Sequence, residues 1–348
     1  MWDDVRGVES QFAQQSLPYW QPIVIPRAIL PFHFIFGLCF VSVGILITVL
    51  LAQNAEVVLN YTNCDLNATS NFTTMPSADA SVPALWRFDN DTRVCTIQFT
   101  LEQPVEGPLQ MFYQLTNFYQ NYRSYIMSEC SEQFLGGDVM DPNVLSSCAP
   151  LVNPVNSTLI YYPCGLVANS MFNDTLSNLT DTAGGIFPFS ESGLASPAEY
   201  QKYGRTTYVP DADGVYRNIT PPPEWTQYDG EYTVDNIPDL SVEEHFIVWM
   251  RISSSASFRK LYGKAPDTLP AGTYTMNITS IYEVRSFYGT KSVVFQHLTW
   301  LEGVGPNMGY AYLTVGSVML ATGSVLVLLT ALKPRKIGDP ALLSWNRQ

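Results

Sequence analysis

Residues 32–52 read FHFIFGLCFVSVGILITVLLA, a run of 21 residues with nothing more polar than His33, Ser42 and Thr48. A helix of that length crosses a hydrocarbon core of ~30 Å. A second run, residues 309–332, contains no charged side chain, so it offers no ionisable relay for an ion path. We therefore expect two transmembrane helices, at 32–52 and at 309–332, that act as anchors.

A cleaved signal peptide is the alternative for the first run, because the small residues Ala52 and Ala55 lie near its end. However, the run is longer than the apolar region of a typical signal peptide, and 31 residues precede it. A signal anchor is the favoured interpretation.

Basic residues set the expected orientation. On the loop side, the basic residues nearest to the two runs are Arg87 and Lys291. The terminal segments carry Arg6, Arg27, Lys333, Arg335, Lys336 and Arg347. Because basic flanks stay on the cytoplasmic side, we expect segments 1–31 and 333–348 to be cytoplasmic and residues 53–308 to form a lumenal or extracellular domain.

The glycosylation signals agree with this orientation. Every N-x-[ST] sequon of the chain lies in the 53–308 segment, in larger number than composition would give by chance. The nine asparagines are Asn60, Asn67, Asn71, Asn90, Asn156, Asn173, Asn178, Asn218 and Asn277. We expect a glycoprotein of the secretory pathway, located in the endoplasmic reticulum, Golgi, endosome or plasma membrane.

Five of the six cysteines also fall in this segment, and the sixth, Cys39, lies in the first apolar run. Sequence proximity favours two structural disulfide bridges and leaves Cys130 unpaired. Spacing alone does not settle the connectivity. The favoured pairs are Cys64 with Cys95 and Cys148 with Cys164.

Alternation of polar and apolar side chains predicts a mainly antiparallel, two-layer β domain. The expected strands are 95–102, 155–162, 244–252, 272–281 and 292–300. One amphipathic helix is expected over 110–128, where Met111 and Leu115 begin a helical spacing. Residues 52–90 are predicted to form an irregular glycosylated arm, and 183–204 and 220–225 to form surface excursions.

The sequence contains no G-x-S-x-G, P-loop or G-x-G-x-x-G motif. His33, His245 and His297 have no second ligand at metal-binding spacing, and Glu243 and Glu244 would point to opposite faces of a strand. The 53–308 segment carries 12 basic and 27 acidic residues, which argues against a nucleic-acid partner. We expect no enzyme activity, no cofactor and no metal.

A pattern of glycines runs along both apolar segments. Gly309, Gly316 and Gly323 recur every seven residues, and Gly37 and Gly44 repeat the same spacing. Small residues let helix backbones approach closely. Two interpretations remain open: the two helices pack on each other, or the stripe docks a larger membrane partner.

Six stretches, in order along residues 15 to 330, carry a family resemblance. They are LPYWQP (17–22), NFYQNYR (117–123), PCGLVANSMFNDT (163–175), HFIVWMRI (245–252), FRKLY (258–262) and NMGYAY (307–312). The chain resembles the accessory (beta) subunits of type-IV P-type ATPases, the phospholipid flippases, of the ligand-effect-modulator or cell-division-control type.

That resemblance implies a β-sandwich-like ectodomain with short helices, carried on two transmembrane helices beside membrane lipids. It implies a heterodimer with the ATPase catalytic subunit, which the chain escorts out of the endoplasmic reticulum and supports in its transport cycle. It assigns a disulfide to Cys148 and Cys164 and a glycan to Asn173, and it relates Cys64 and Cys95 to the other bridge region of the family. The expected partner contacts add Pro18, Trp20, Gln21 and Pro22 to the glycine stripe.

A subunit of a trimeric, two-helix, ligand-gated cation channel is the main rival. Such channels share this layout, but their ectodomains hold more cysteine, and a pore would be lined with polar residues. A lumenal enzyme is the third interpretation. The unpaired Cys130, the sequons at 60–71 and the insertion at 183–240 depart from the family pattern, so no contact is transferred there.

Overall fold

The computed structural model describes residue 17 and residues 26–52, 56–297 and 306–332. It divides into two compact units, one with the two long helices and one with the β-rich domain. The helices are α1 (Pro26–Ala52), α2 (Cys64–Asn67), α3 (Arg123–Ile126), α4 (Ser131–Phe134), α5 (Pro142–Leu145), α6 (Leu166–Asn169), α7 (Pro197–Tyr200), α8 (Glu244–Met250) and α9 (Pro306–Leu332).

The two long helices, α1 and α9, are long and apolar enough to cross a membrane. Several of their hydroxyl groups donate to the backbone of the same helix: Ser42 donates to the carbonyl of Leu38, and Thr322 to that of Val318, at 2.8 and 2.9 Å. Such internal hydrogen bonds remove the cost of placing a hydroxyl group in lipid.

The strands account for most of the regular structure of the second unit. They are β1 (Glu56–Asn60), β2 (Thr73–Thr74), β3 (Ala84–Asp89), β4 (Val94–Leu101), β5 (Leu109–Leu115), β6 (Ile160–Tyr161), β7 (Thr175–Leu176), β8 (Leu179–Asp181), β9 (Ile186–Phe187), β10 (Ile219–Thr220), β11 (Phe258–Ala265), β12 (Gly272–Thr279) and β13 (Lys291–His297).

These strands form two main antiparallel sheets. The four-stranded sheet has the order β1-β13-β5-β11, and the seven-stranded sheet has the order β2-β3-β4-β12-β8-β9 with β7 also paired to β12. Phe99 of β4 stacks on Phe295 of β13, with ring centroids 5.7 Å apart, so side chains from the two sheets meet in one core. The two-layer, mainly antiparallel prediction is confirmed.

The helix predicted over 110–128 is wrong. Residues 109–115 form β5, a central strand paired to β11 and β13, and only Arg123–Ile126 make a helical turn. Met111 and Leu115 are both buried, but they lie on one face of a strand rather than of a helix. Apolar residues at a separation of four fit both periodicities, and pairing with two neighbouring strands selects the strand.

The strand predicted over 244–252 is also wrong, because Glu244–Met250 form helix α8. All five residues from Phe246 to Met250 are buried, so the helix is enclosed on every side. A short apolar run without alternation does not discriminate a buried strand from a buried helix. His245 and Glu244 accordingly lie on a helix, and the opposite-face argument for Glu243 and Glu244 fails.

Residues 52–90 are not an irregular arm over their described part. They contribute β1, β2 and β3, and both Tyr61 and Trp86 are completely enclosed in the core. The two expected surface excursions also pack inward, through Leu194 and Trp225. In the predicted strand 155–162, only Ile160–Tyr161 pair, in parallel with β10.

Candidate partner-binding elements

The block 163–175 is held by close backbone packing and by hydrogen bonds to other parts of the second unit. Its corner residue, Gly165, has a φ of +100°, and a Cβ placed there would lie 2.2 Å from the carbonyl oxygen of Ser128. Both the backbone conformation and the close approach therefore require glycine. The hydroxyl of Ser128 accepts from the N–H of Leu166 at 3.0 Å, which fixes the start of α6.

Two buried tryptophans hold the other side of α6. The indole N–H of Trp249 donates to the carbonyl of Val167 at 2.7 Å, and that of Trp225 donates to the carbonyl of Ala168 at 2.9 Å. Carbonyls near the end of so short a helix have few partners within the helix. The tryptophans supply those partners and join the 220–225 segment and α8 to the block.

Asp174, at the end of the block, forms a buried ion pair with Lys291 of β13. Its Oδ2 accepts from Nζ of Lys291 at 2.7 Å and from the hydroxyl of Tyr61 at 2.9 Å, while Oδ1 accepts from the N–H of Tyr282 at 2.6 Å. Burial lowers the pKa of Lys291, and the carboxylate of Asp174 opposes that shift. Burial, followed by the Asp174 charge, raises the pKa of Tyr61.

A second buried lysine, Lys260 of β11, has no carboxylate in contact among the residues that the structure describes. Its ammonium donates to the carbonyls of Trp249, at 3.2 Å, and Arg251, at the end of α8, and lies 5.4 Å from the ring centroid of Phe258. Burial, helped by the nearby charge of Arg251, lowers the pKa of Lys260 to about 7. Arg251 itself pairs with Glu199, at 2.7 Å.

The carboxylate of Glu244 attaches the 190–195 segment to α8. It accepts from the backbone N–H groups of Gly193, at 2.8 Å, and Ala195, at 3.3 Å. His245 next to it contacts Glu191 through Nε2 at 3.0 Å and lies against the ring of Tyr262. These contacts make the predicted excursion part of the domain.

Two disulfides occur in the structure, with Cα–Cα distances of 6.2 Å for Cys64–Cys95 and 5.6 Å for Cys148–Cys164. They are the pairs that sequence proximity favoured. Cys130 is a buried free cysteine, and its Sγ lies within 4.8 Å of both sulfurs of the second bridge. Because Cys148 and Cys164 are bonded to each other, this group does not have the thiolates of a metal site.

The glycine stripe lies between the two long helices. A Cβ at Gly316 would lie 2.8 Å from the backbone nitrogen of Val41, and one at Gly44 would lie 3.0 Å from the carbonyl oxygen of Gly309. Gly37 faces Gly316 and Leu320, and Gly323 faces His33 and Phe34. Of the two interpretations left open by the sequence, the packing of the helices on each other is the one observed.

The remaining partner candidates, Pro18, Trp20, Gln21 and Pro22, lie outside the described residues. The sequon asparagines differ in exposure. Asn67, Asn71, Asn90, Asn156, Asn178, Asn218 and Asn277 are exposed, and two others are half-buried. Of these two, Asn60 donates from Nδ2 to Asp79 at 2.9 Å, and Asn173 has its Nδ2 3.5 Å from the carbonyl of Glu224.

An open cleft of about 450 Å³ lies beside β3 and β4. Apolar residues such as Met75, Val82 and Leu85 line it, with Gln98 and Thr100 among its polar residues. Among the described residues that line it, none is acidic, basic, histidine or cysteine, so they offer no pair of groups for acid–base or nucleophilic chemistry.

Two apolar helices of spanning length lie one before and one after a disulfide-bridged β domain. This is the layout of a two-helix membrane protein with one large inserted domain. The sequence profile of the LEM3 (ligand-effect modulator 3) family / CDC50 family matches residues 45–336. The chain belongs to this family. Its membership and its two helices together indicate an integral membrane protein.

Individual relatives cover almost the whole chain. The phospholipid-transporting ATPase accessory subunit CRF1 of Saccharomyces cerevisiae is 34% identical over 98% of this chain and 89% of its own length. Cell cycle control protein 50A of Bos taurus is 35% identical, with coverages of 93% and 89%. ALA-interacting subunit 3 of Arabidopsis thaliana is 30% identical, with coverages of 98% and 91%. The accessory-subunit names favour the family resemblance over the channel alternative and are consistent with a non-catalytic role.

Sequence reasoning missed the two buried lysines. Lys260 and Lys291 each occur in a strand, where a charged residue is ordinarily placed on the solvent side. The quoted stretches FRKLY and PCGLVANSMFNDT contain Lys260 and Asp174, but the pairing of Asp174 with Lys291 joins residues separated by 117 positions. No local pattern indicates such a contact.

Proposed function

We propose that this chain is the non-catalytic accessory subunit of a phospholipid-translocating P-type ATPase, bound one-to-one to the catalytic subunit. The family match over 45–336, with accessory-subunit relatives that span nearly the full chain, is the observation that carries the proposal. The catalytic subunit supplies ATP hydrolysis and the lipid path, and this chain supplies binding surfaces.

In the proposed topology, segments 1–31 and 333–348 are cytoplasmic, and residues 53–308 form a lumenal or extracellular domain between membrane-spanning helices at 32–52 and 309–332. The distribution of basic residues supports it. So do the two disulfides, which persist in oxidising compartments, and the seven exposed sequon asparagines, which we propose as glycan sites. The glycans would keep those parts of the surface free of partner contacts.

The mechanism is one of binding linkage. A subunit that binds some conformations of the ATPase more tightly than others shifts their populations by that difference in binding free energy. The same binding stabilises the folded ATPase against unfolding, which accounts for an escort role from the endoplasmic reticulum through Golgi or endosome to the plasma membrane. Neither effect requires a catalytic group in this chain.

The exposed apolar faces of α1 and α9 are the surfaces that remain for lipid or for a membrane partner. Because the glycines are occupied by packing within the chain, side chains such as Ile35, Leu38, Val318 and Val325, all exposed, are available on the outside. We propose that part of this surface contacts the ATPase, together with the 17–22 segment.

Depletion of the chain from its own cells tests the proposal. We expect at least one P-type ATPase to be retained in the endoplasmic reticulum and the inward transport of a fluorescent phospholipid to fall, with both restored by the re-expressed wild-type chain. Normal export of every P-type ATPase together with unchanged lipid transport would contradict the proposal.

A further inference from the structure

Three sulfur atoms meet at one corner of the second unit. The Sγ atoms of Cys130, Cys148 and Cys164 all lie within 4.8 Å of one another, and all three residues are buried. Two of them form the disulfide, and the third remains a thiol. A thiol beside a disulfide has the chemistry needed for exchange, because a thiolate attacks a disulfide sulfur directly.

The position of Cys130 is fixed by hydrogen bonds that do not depend on the bridge. Next to it, the carbonyl of Glu129 accepts from the hydroxyl of Ser147 at 2.8 Å, and the hydroxyl of Ser128 donates to the carbonyl of Cys148 at 2.9 Å. These contacts attach the Cys130 segment to the Cys148 side of the bridge.

The Cys164 side is attached in the same way. Gln133, on the helix that begins after Cys130, accepts from the N–H of Cys164 through Oε1 at 2.9 Å. The backbone at Gly165 packs directly on that of Ser128. The three cysteines therefore stay together whichever two of them are bonded, so exchange requires only small movements of side chains.

We propose that Cys130 is an internal exchange nucleophile, which converts the Cys148–Cys164 bridge reversibly into a Cys130–Cys148 or Cys130–Cys164 bridge inside the folded domain. The Cys130 sulfur forms a bond to one bridge sulfur, and the Cys148–Cys164 bond breaks. The released sulfur takes up the proton that Cys130 loses, so there is no net oxidation or reduction and no co-reactant. Burial raises the pKa of the Cys130 thiol, which keeps the resting thiol protonated.

As a consequence, the start of the 163–175 block, at Cys164, has alternative disulfide partners. In each isomer, one of the three segments is released from the bridge while the hydrogen bonds of Ser128 and Gln133 hold it in place.

Peptide mapping of the folded, full-length chain in detergent tests the proposal. The wild type and Cys130→Ser are incubated at pH 8.5 without denaturant, trapped with N-ethylmaleimide in acid, and digested with pepsin, which works at a pH that stops exchange. Cleavage at Phe134 and Tyr161 separates the three cysteines. We expect peptides that join Cys130 to Cys148 or Cys164 in the wild type only.

The Cys64–Cys95 bridge is the internal control, and it should remain intact in both proteins. Recovery of Cys130 solely as its N-ethylmaleimide adduct, with only the Cys148–Cys164 bridge, would overturn the proposal. So would mixed bridges that include Cys64 or Cys95, because these indicate general scrambling rather than local exchange.

A second variant tests whether Cys130 can reach Cys164 during biosynthesis. In Cys148→Ser, expressed in cells, the disulfide oxidants of the secretory pathway should join Cys130 to Cys164 in most molecules. Cys130→Ser/Cys148→Ser should lack this bridge. Free Cys130 and Cys164 in exported Cys148→Ser chains would contradict the proposed reach of Cys130.

Discussion

The carboxylate of Asp174 lies 2.7 Å from the ammonium of Lys291, and the two side chains are 0% and 4% exposed. Asp174 is the penultimate residue of the 163–175 block, and Lys291 begins a strand of the four-stranded sheet. The hydroxyl of Tyr61 binds the same carboxylate oxygen. One buried pair thus connects the block to the first and last parts of the β domain.

Removal of one member of this pair leaves an uncompensated buried charge. Asp174→Asn should lower the free energy of unfolding by about 3–5 kcal/mol, because Lys291 then remains in the core without a carboxylate. The substitution preserves the Asn173 sequon, so it changes no glycosylation signal. Thermal unfolding of the full-length chain in detergent measures the effect.

The double variant Asp174→Asn/Lys291→Met should be less destabilised than Asp174→Asn alone, since it removes both charges. The surface pair of Asp211 with Arg217, at 2.8 Å, provides the control: its side chains are 29% and 58% exposed, so Asp211→Asn should lower the melting temperature far less than Asp174→Asn does. Equal losses in Asp174→Asn and Asp211→Asn would refute a special role for the buried pair.

Gly165 offers a test of the corner in the 163–175 block. Gly165→Ala should destabilise the chain by about 3 kcal/mol or more, since a strained φ costs about 1–3 kcal/mol and the new methyl group also collides with the Ser128 carbonyl. Gly184 also has a positive φ, of +87°, but a Cβ there meets nothing within 4 Å. Gly184→Ala should show only the smaller strain cost, and equal melting temperatures for the two variants would contradict the packing argument.

Lys260 should make stability depend on pH. Its pKa is about 7 in the folded chain, against about 10.4 for an unperturbed lysine. Between those values the unfolded chain holds the proton and the folded chain does not, so the free energy of unfolding rises with pH above about 7. Below that pH Lys260 is protonated in both states, so the cost of burying its charge lowers the free energy of unfolding by a constant amount.

From pH 6 to pH 9 the Lys260 contribution should amount to about 2–3 kcal/mol. Lys260→Met should lose this pH dependence. Because the substitution removes the cost of burying a charged lysine, Lys260→Met should be more stable than the wild type by a larger margin at pH 6 than at pH 9. Lys202→Met, at an exposed position, is the matched control and should keep the wild-type pH dependence. A Lys260→Met difference that is the same at both pH values would disprove the assignment.

The glycine stripe predicts a sharp difference between two faces of α9. Gly316→Leu should separate α9 from α1, because even a Cβ at this position meets the Val41 backbone. Val318→Leu, on the exposed face, should leave the packing intact. Amide hydrogen exchange of α1 and α9 in detergent should increase for Gly316→Leu alone, and equal exchange in both variants would count against close packing at the stripe.

The architecture follows from sequence where a signal is repeated or chemically distinctive. Two apolar runs predict the two long helices, and the alternation in 95–102 and 272–281 predicts β4 and β12. The favoured cysteine pairs also occur in the structure. Each of these features depends on local composition or on short separations along the chain.

The errors arise where tertiary contacts override a local pattern. The 110–128 segment carries aromatic residues at helical spacing, yet its first part is a strand because β11 and β13 pair with it on both sides. The charged side chain of Asp174 is placed in the core by Lys291, a partner 117 positions away in the sequence. Such long-range compensation leaves no periodic trace in the sequence.

The central claim is tested most directly by co-purification. The tagged chain is purified from its own cells in a mild detergent, and the proteins that co-purify are identified by mass spectrometry. The accessory-subunit account predicts a P-type ATPase in near-equal amount with the chain. Recovery of only a homotrimer of this chain would contradict the account and favour the channel architecture.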